Sequence, residues 1–208
     1  NYTFKFLFLP ETIGSVAYLS QNEKLIPKVK YALFLEMLGH NDIHSLQLSR
    51  QGNTKIDRIA HSVMKRMLPK FREDGFRKIV RNDEMVWNGP GVNIPTISIS
   101  RADYEPTHYP EYHTSDDTLK IISPKRLEES KNLILEILRI LDQDYIPKRT
   151  FKGPVFLSGY GLWIDWRVNR KMNQAAEQIM LRMEGDKSVF DIAEELNLNF
   201  FEVKEYID

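Results

Sequence analysis

The 208-residue sequence predicts an α/β fold: a mixed, mostly parallel sheet flanked by helices, followed by a small α-rich winged helix-like domain. Three observations carry this prediction. Extended apolar stretches alternate with helix-period stretches as far as Leu141, the pattern of layered α/β domains. Residues 29–38 are apolar almost without interruption, as expected of a strand covered on both faces by helices. Beyond Asp142 the texture changes to a glycine-punctuated basic connector and then short helical segments. The expected boundary therefore separates residues 1–145, the α/β part, from residues 146–208, a linker and the winged helix-like domain.

Taken in order, residues 4–9 (Phe-Lys-Phe-Leu-Phe-Leu) read as a buried strand stopped by Pro10. A helix is expected over 16–22, and the second strand over 29–38 ends at Gly39. A polar loop through Arg50, Gly52 and Asn53 leads to a helix over 55–68, with Ile56, Ile59, Ala60, Val63 and Met67 on one face. Residues 69–84 are charged and weakly patterned. Asn88-Gly89-Pro90-Gly91 is a turn signal, and residues 94–100 alternate like a strand. Ser123-Pro124 has the form of a cap with proline at the first helical position. That helix is expected to run to about Leu141, with Ile134, Ile137, Leu138 and Leu141 inward. One or two short strands are expected around Phe156 and over 162–166. Helices follow over 173–183, from Ser188 with its capping-box spacing to Asp191, and over 200–207, the outline of a winged helix-turn-helix.

The totals exclude some functions. Lys and Arg balance Asp and Glu at 29 against 29, so no overall field draws the chain to nucleic acid or an anionic membrane. With no cysteine, disulfides, thiolate zinc sites and a cysteine nucleophile are excluded. No apolar run reaches the roughly 18–20 residues of a membrane span, so a soluble, cytoplasmic protein without a membrane partner is expected; a homo-oligomer is compatible with the sequence. The chain enters an apolar run at once after Asn1, as if it began inside a domain whose earlier strands precede it. Residues 173–208 hold three basic side chains against nine acidic ones, which argues against a DNA-recognition helix, since phosphate contacts need Lys and Arg.

Three residues stand out for chemistry. Glu36 sits near the C-terminal end of an apolar strand, where a carboxylate must be paired, protonated or metal-bound. Glu11 follows the first extended stretch, and His113 lies in the polar turn over 109–118 between an extended region and a long helix. Sites in α/β sheets lie beyond the carboxyl ends of strands, and two carboxylates with an imidazole are donors suited to zinc. The same three residues also admit a reading as unrelated polar positions. His40 and His44, spaced i, i+4, read better as exposed loop residues than as zinc ligands, and His61 as a surface residue on its helix. Asp116 and Asp117 are expected to hold the His113 imidazole or to shape its loop.

Pro-Glu11-Thr-Ile-Gly-Ser, the strand ending Leu-Glu36-Met-Leu-Gly, and Tyr-His113-Thr-Ser-Asp-Asp117-Thr together resemble the co-catalytic zinc aminopeptidases. More closely, the chain resembles an aminopeptidase-like family with a C-terminal winged helix-like domain. That resemblance also takes in Arg50 to Asp57, Pro90 to Pro95 and Pro110 to Ser115, and so spans nearly the whole sequence. It implies that residues 1–145 are the C-terminal part of an aminopeptidase-like domain binding one or two zinc ions, with some ligands outside this sequence. His113 and Glu36 would be metal ligands, and Glu11 a ligand or the catalytic base. The aminopeptidases carry two adjacent glutamates where this chain has Pro10-Glu11, so both posts stay open for Glu11. The implied activity is hydrolysis of a peptide or amide bond in a small substrate, with a family link to polysaccharide biosynthesis. The rival is a binding module that keeps the fold without the chemistry; a DNA-binding regulator ranks third.

Overall fold

A computed structural model describes residues 2–101 and 109–208, which form two compact units, 2–139 and 140–208. The first unit is built on a four-stranded sheet: β1 (Ala32–Leu35), β2 (Ser45–Gln47), β3 (Arg72–Asp74) and β4 (Thr96–Ser100), in the order β1-β4-β2-β3. Two of the three pairings are parallel, β1 with β4 and β2 with β3, while β2 runs antiparallel to β4. The sheet is thus mixed and mostly parallel, with helices against it, as the pattern predicts.

Its centre differs from the expectation. β4 is buried along its whole length and lies inside the sheet, while β1 lies at the edge with Leu35 38% exposed. The long apolar run is therefore cut to four strand residues, preceded by a 3-10 turn over Glu23–Lys28 that holds Pro27. The polar stretch after Gly39 conceals β2, all three of whose residues are buried, and the charged stretch over 69–84 conceals β3. Strands this short carry no period for a sequence pattern to report.

The stretch over residues 4–9 is not a strand among the described residues; Phe6 is 72% and Phe8 95% exposed. An apolar sequence becomes a strand only when a neighbour takes its backbone hydrogen bonds, and no strand among the described residues pairs with it. Helix α1 (Ile13–Gln21) begins immediately after it, three residues earlier than its sequence suggests, and buries Leu19 while leaving Val16 half exposed.

Helix α2 (Lys55–Met67) covers the sheet with Ile56, Ile59, Ala60, Val63 and Met64, all fully buried. Met64 takes the place expected for Met67, which is 40% exposed. The helix starts on a capping box, in which Asp57 accepts from both the backbone N–H and the hydroxyl of Thr54. After the short helix α3 (Glu84–Trp87), helix α4 (Pro124–Gln143) buries Leu133, Ile137, Ile140 and Leu141, a face rotated slightly from the predicted one.

In the second unit, α5 (Arg170–Arg182), α6 (Val189–Glu195) and α7 (Phe200–Ile207) pack around Met172, Ile179, Phe190, Ile192, Phe200 and Val203. Helix α6 opens on the Ser188–Asp191 capping box read from the sequence. The short strands expected near Phe156 and over 162–166 are replaced by a 3-10 turn, Leu157–Tyr160, closed by Gly161 at φ 72°. Glycine is the residue for which this left-handed conformation carries no steric penalty, and its presence breaks up any extended run.

Candidate active site

Glu36 leaves β1 at its carboxyl end, its backbone N–H donating to the Ile99 carbonyl at 3.3 Å. Its two carboxylate oxygens have different surroundings. Oε2 accepts from the Asn82 side-chain amide at 2.8 Å, whereas Oε1 is buried without a hydrogen-bond partner among the described residues. Burial pushes its pKa up to about 7; the Asn82 bond opposes the rise, and the negative charges of Glu84, Glu11 and Asp83 add to it. A half-desolvated carboxylate with one unsatisfied oxygen, ringed by other acids, has the environment of a group that takes a proton or a cation.

Glu11 lies at the exposed start of α1, close enough to act electrostatically on both Glu36 and Tyr112. Burial raises the Tyr112 phenol, and Glu36 and Glu11 raise it further. The fold thus gathers Glu11, Glu36 and the Tyr112 loop around one place. His113 stacks on the Tyr112 ring with centroids 3.9 Å apart, but it is exposed and makes no hydrogen bond to another described residue.

Left-handed backbone falls at, or directly after, each of the three candidate residues. Thr12, directly after Glu11, has φ 56°; Met37, directly after Glu36, has φ 51°; His113 itself has φ 60°. Non-glycine residues, above all a β-branched threonine, occupy this region at a cost that the surrounding structure must offset, and such strain gathers at functional sites.

Other sequence expectations are sorted differently. Asp117 does not hold the imidazole: it accepts from the Tyr109 hydroxyl at 2.8 Å and so shapes the loop, while the Asp116 N–H donates to Thr114 Oγ1 at 3.2 Å. His44, expected to be exposed, is 2% exposed and lies 3.0 Å from Ser130 Oγ through its Nε2. Ser130 donates to the Leu38 carbonyl and receives Arg101 Nε, so the His44 contact is best satisfied by an Nε2–H donor. His40 stacks instead on Tyr109 at 4.6 Å. His61 is on its helix surface as read, its Nδ1 within hydrogen-bond distance of Glu73 Oε2 at 2.6 Å.

The sequence reading missed the segment Asn82-Asp83-Glu84. Asn82 contacts Glu36, and Asp83 accepts from the Thr12 N–H at 3.1 Å and from the Ser15 hydroxyl. Glu84, fully buried, accepts the Asn82 N–H at 2.8 Å, and burial raises its pKa. Three consecutive polar residues before an apolar turn are a weak signal without the fold.

For a metal ion the residues present fit in part. The unsatisfied Glu36 oxygen and the nearby Glu11 carboxylate are oxygen donors of the kind a divalent cation takes. Among the described residues, however, no three His, Asp or Glu side chains stand together in a group that could hold one.

The mostly parallel sheet flanked by helices is the fold of the aminopeptidase-like class, and acids gather beyond the end of its edge strand. A family model matches residues 1–144, and the chain belongs to that family, described as domain of unknown function DUF4910. A Clostridium acetobutylicum protein named for polysaccharide biosynthesis and an aminopeptidase-like domain is 28% identical over 98% of this chain and 47% of its own length. A crystal structure from the same bacterium, of a protein assigned as a peptidase, superposes with a TM-score of 0.80 at 26% identity, covering 97% of this chain and 44% of that one. A zinc aminopeptidase of Bacillus subtilis shares the fold alone, with a TM-score of 0.52 at 16% identity over 63% of this chain and 33% of its own. The chain therefore spans about half the length of the relatives it matches throughout.

Proposed function

We propose that this chain is part of a zinc-dependent hydrolase of the aminopeptidase-like class, acting on a peptide or amide bond of a small substrate in the cytoplasm. The observation that carries the reading is Glu36: a carboxylate at the end of an edge strand, buried on one oxygen, unpaired there, and crowded by other acids. Zinc, when bound, would supply Lewis acidity and an acidified water. Glu36 would hold it through Oε1 while Asn82 keeps Oε2. His113 would swing from its stack on Tyr112 to contribute a nitrogen, and further donors would come from sequence outside these residues. Glu11 is exposed and is the group free to move a proton to or from substrate, although a ligand role is open to the same carboxylate. The relative named for polysaccharide biosynthesis suggests a substrate drawn from that chemistry. Residues 146–208 we read as a linker and winged helix-like domain used for partner binding or self-association, since its acidic helices disfavour nucleic acid.

The second reading is a binding module with this fold and no catalysis. It is favoured by the absence of a three-donor group among the described residues and by the single glutamate after Pro10. Metal analysis of the natural full-length polypeptide, purified without chelator, separates the two. The hydrolase reading expects zinc in the protein, most of it lost in Glu36→Gln and in His113→Ala, with cleavage of aminoacyl amides falling at least 100-fold in parallel. Zinc-free wild-type protein would establish the binding module instead.

A further inference from the structure

Residues 146–172 carry six basic side chains against one acid, while residues 173–208 carry nine acids against three bases, so the second unit divides its charge along the sequence. Part of each set is neutralised within the unit. Arg149 pairs with Glu184, Arg167 with Asp165 at 2.6 Å, and Glu195 with both Arg182 and Lys187. Charges of both signs are left over. Lys152, Arg170 and Lys171, and equally Glu177, Asp186 and Glu205, are exposed, and their side chains make no ion pair or hydrogen bond to another described residue. Local structure does not account for the helical cations: the first turn of α5 holds Arg170 and Lys171 and no acid, the sign that the positive end of a helix dipole disfavours.

The basic stretch is also aromatic. Phe156, Tyr160, Trp163 and Trp166 are between 57% and 75% exposed. The backbone that bears them is nevertheless held. The Ile164 carbonyl accepts from the Asn173 amide at 2.8 Å and the Leu162 carbonyl from the Tyr206 hydroxyl at 3.4 Å, which ties the stretch to α5 and α7. Leu162 and Ile164 are half-buried there, and the rings beside them are left to solvent. At about 150–250 Å² for a buried ring, their open surface comes to roughly 500 Å², more than half of the roughly 800 Å² that each partner gives to a standard interface.

We propose that the basic aromatic stretch over residues 151–171 is a self-association surface, and that its occupant is the acidic helices α5 and α7 of a second copy of this chain. This rests on the reading of residues 146–208 as a module for partner binding or self-association, and is independent of the hydrolase reading. Exposed ion pairs are individually weak, so the rings supply the affinity while the charges select the partner and its register. Each copy offers a basic and an acidic surface. A two-fold dimer therefore makes the contact twice and closes, whereas a one-way contact would leave both surfaces open at the ends and grow. An anionic lipid or a nucleic acid would match the basic stretch and leave Glu177, Asp186 and Glu205 without a counter-charge; a second copy uses both sets.

Sedimentation velocity of the natural full-length polypeptide, over a range of concentrations at low and high salt, measures the dimer. Wild type is compared with Trp163→Ala plus Trp166→Ala, Arg170→Glu plus Lys171→Glu, and Glu177→Lys plus Glu205→Lys, each checked for folding by circular dichroism. The expected results are a wild-type dimer weakened by salt and association at least about 10-fold weaker in every double variant. Mixed in equal amounts, the two charge-reversed variants are expected to recover a dimer, because each then meets the opposite sign at both contacts. Failure of that recovery overturns the proposal, as does a loss confined to the tryptophan variant or a wild-type dimer that no substitution weakens. A monomeric wild type overturns it too. Should that monomer bind single-stranded RNA or vesicles of phosphatidylcholine and phosphatidylglycerol, and the tryptophan variant not, the partner-binding reading would survive; binding to neither would remove both. Should a charge-reversed variant fail to fold, the tryptophan variant and the salt dependence decide.

Discussion

At the scale of single residues, His44 and Glu36 titrate in opposite senses. Burial, then the nearby Arg101 charge, lowers the His44 pKa from 6.5 to about 4. An unfolded chain binds that proton first, so stability is present above pH 6.5 and is lost as pH falls toward 4. The loss approaches 1.4 kcal/mol per pH unit, about 3 kcal/mol in all. Glu36, raised from 4.5 to about 7, works the other way in metal-free protein: stability is present below pH 4.5 and declines as pH rises through 7. Comparing wild type with His44→Asn at each pH cancels the Glu36 contribution. Denaturant unfolding should then find the wild-type advantage shrinking steadily from pH 6.5 to pH 4; a difference that ignores pH would mean His44 is not buried neutral. The sequence placed His44 in an exposed loop because nothing local reveals that Ser130, 86 residues away, will cover it.

At the scale of elements, the same capping pattern has two different strengths. Asp57 at the start of α2 is 2% exposed and accepts from Thr54 N–H and hydroxyl and from Ser49 N–H and hydroxyl, at 2.6–2.7 Å. Removing it orphans four donors, two of them from the buried Ser49, so Asp57→Ala should destabilise its unit by about 3 kcal/mol or more. Asp191 in α6 accepts from the Ser188 N–H at 3.1 Å and hydroxyl at 2.8 Å, from a half-buried position. Asp191→Ala should cost about 1 kcal/mol, the worth of an ordinary cap. Thermal or denaturant midpoints of the two variants decide it; equal losses would mean burial does not set the value of a cap. The stretch from Arg50 to Asp57, which contributes to the family resemblance in the sequence, is thus largely structural. Arg50 donates its N–H to Asn88 Oδ1, the acceptor that also receives the Thr96 N–H and so ties this loop to β4.

At the scale of the molecule, residues 2–139 and 140–208 are separate compact units, each with its own buried set. The second has a small core from three helices, and its ends are tied internally: the Tyr145 hydroxyl donates to Asp208 at 2.5 Å and the Tyr145 carbonyl accepts from Val189 N–H at 2.9 Å. A fragment of residues 140–208 is therefore expected to give a helical circular dichroism spectrum and a cooperative thermal transition of its own. A fragment that melts without a transition would place its stability in the rest of the chain. The first unit, by contrast, leaves Phe6, Phe8 and Ile13 largely exposed at its start.

The sequence by itself determined the class of fold, the long helices and the caps, because amphipathic periods and capping residues act within one or two turns of chain. It also singled out Glu11, Glu36 and His113, Glu36 because a carboxylate closing an apolar strand is costly to bury. Tertiary structure alone decided that β4 and not β1 is the central strand, that short polar β2 and β3 belong to the sheet, and that Asn82, Asp83 and Glu84 stand behind the site. Those facts rest on pairing and burial between residues far apart in the chain, such as Asn82 with Glu36 at a separation of 46 and Asp83 with Thr12 at 71. No local pattern encodes which distant donor will meet a given acceptor; the packed chain makes that choice.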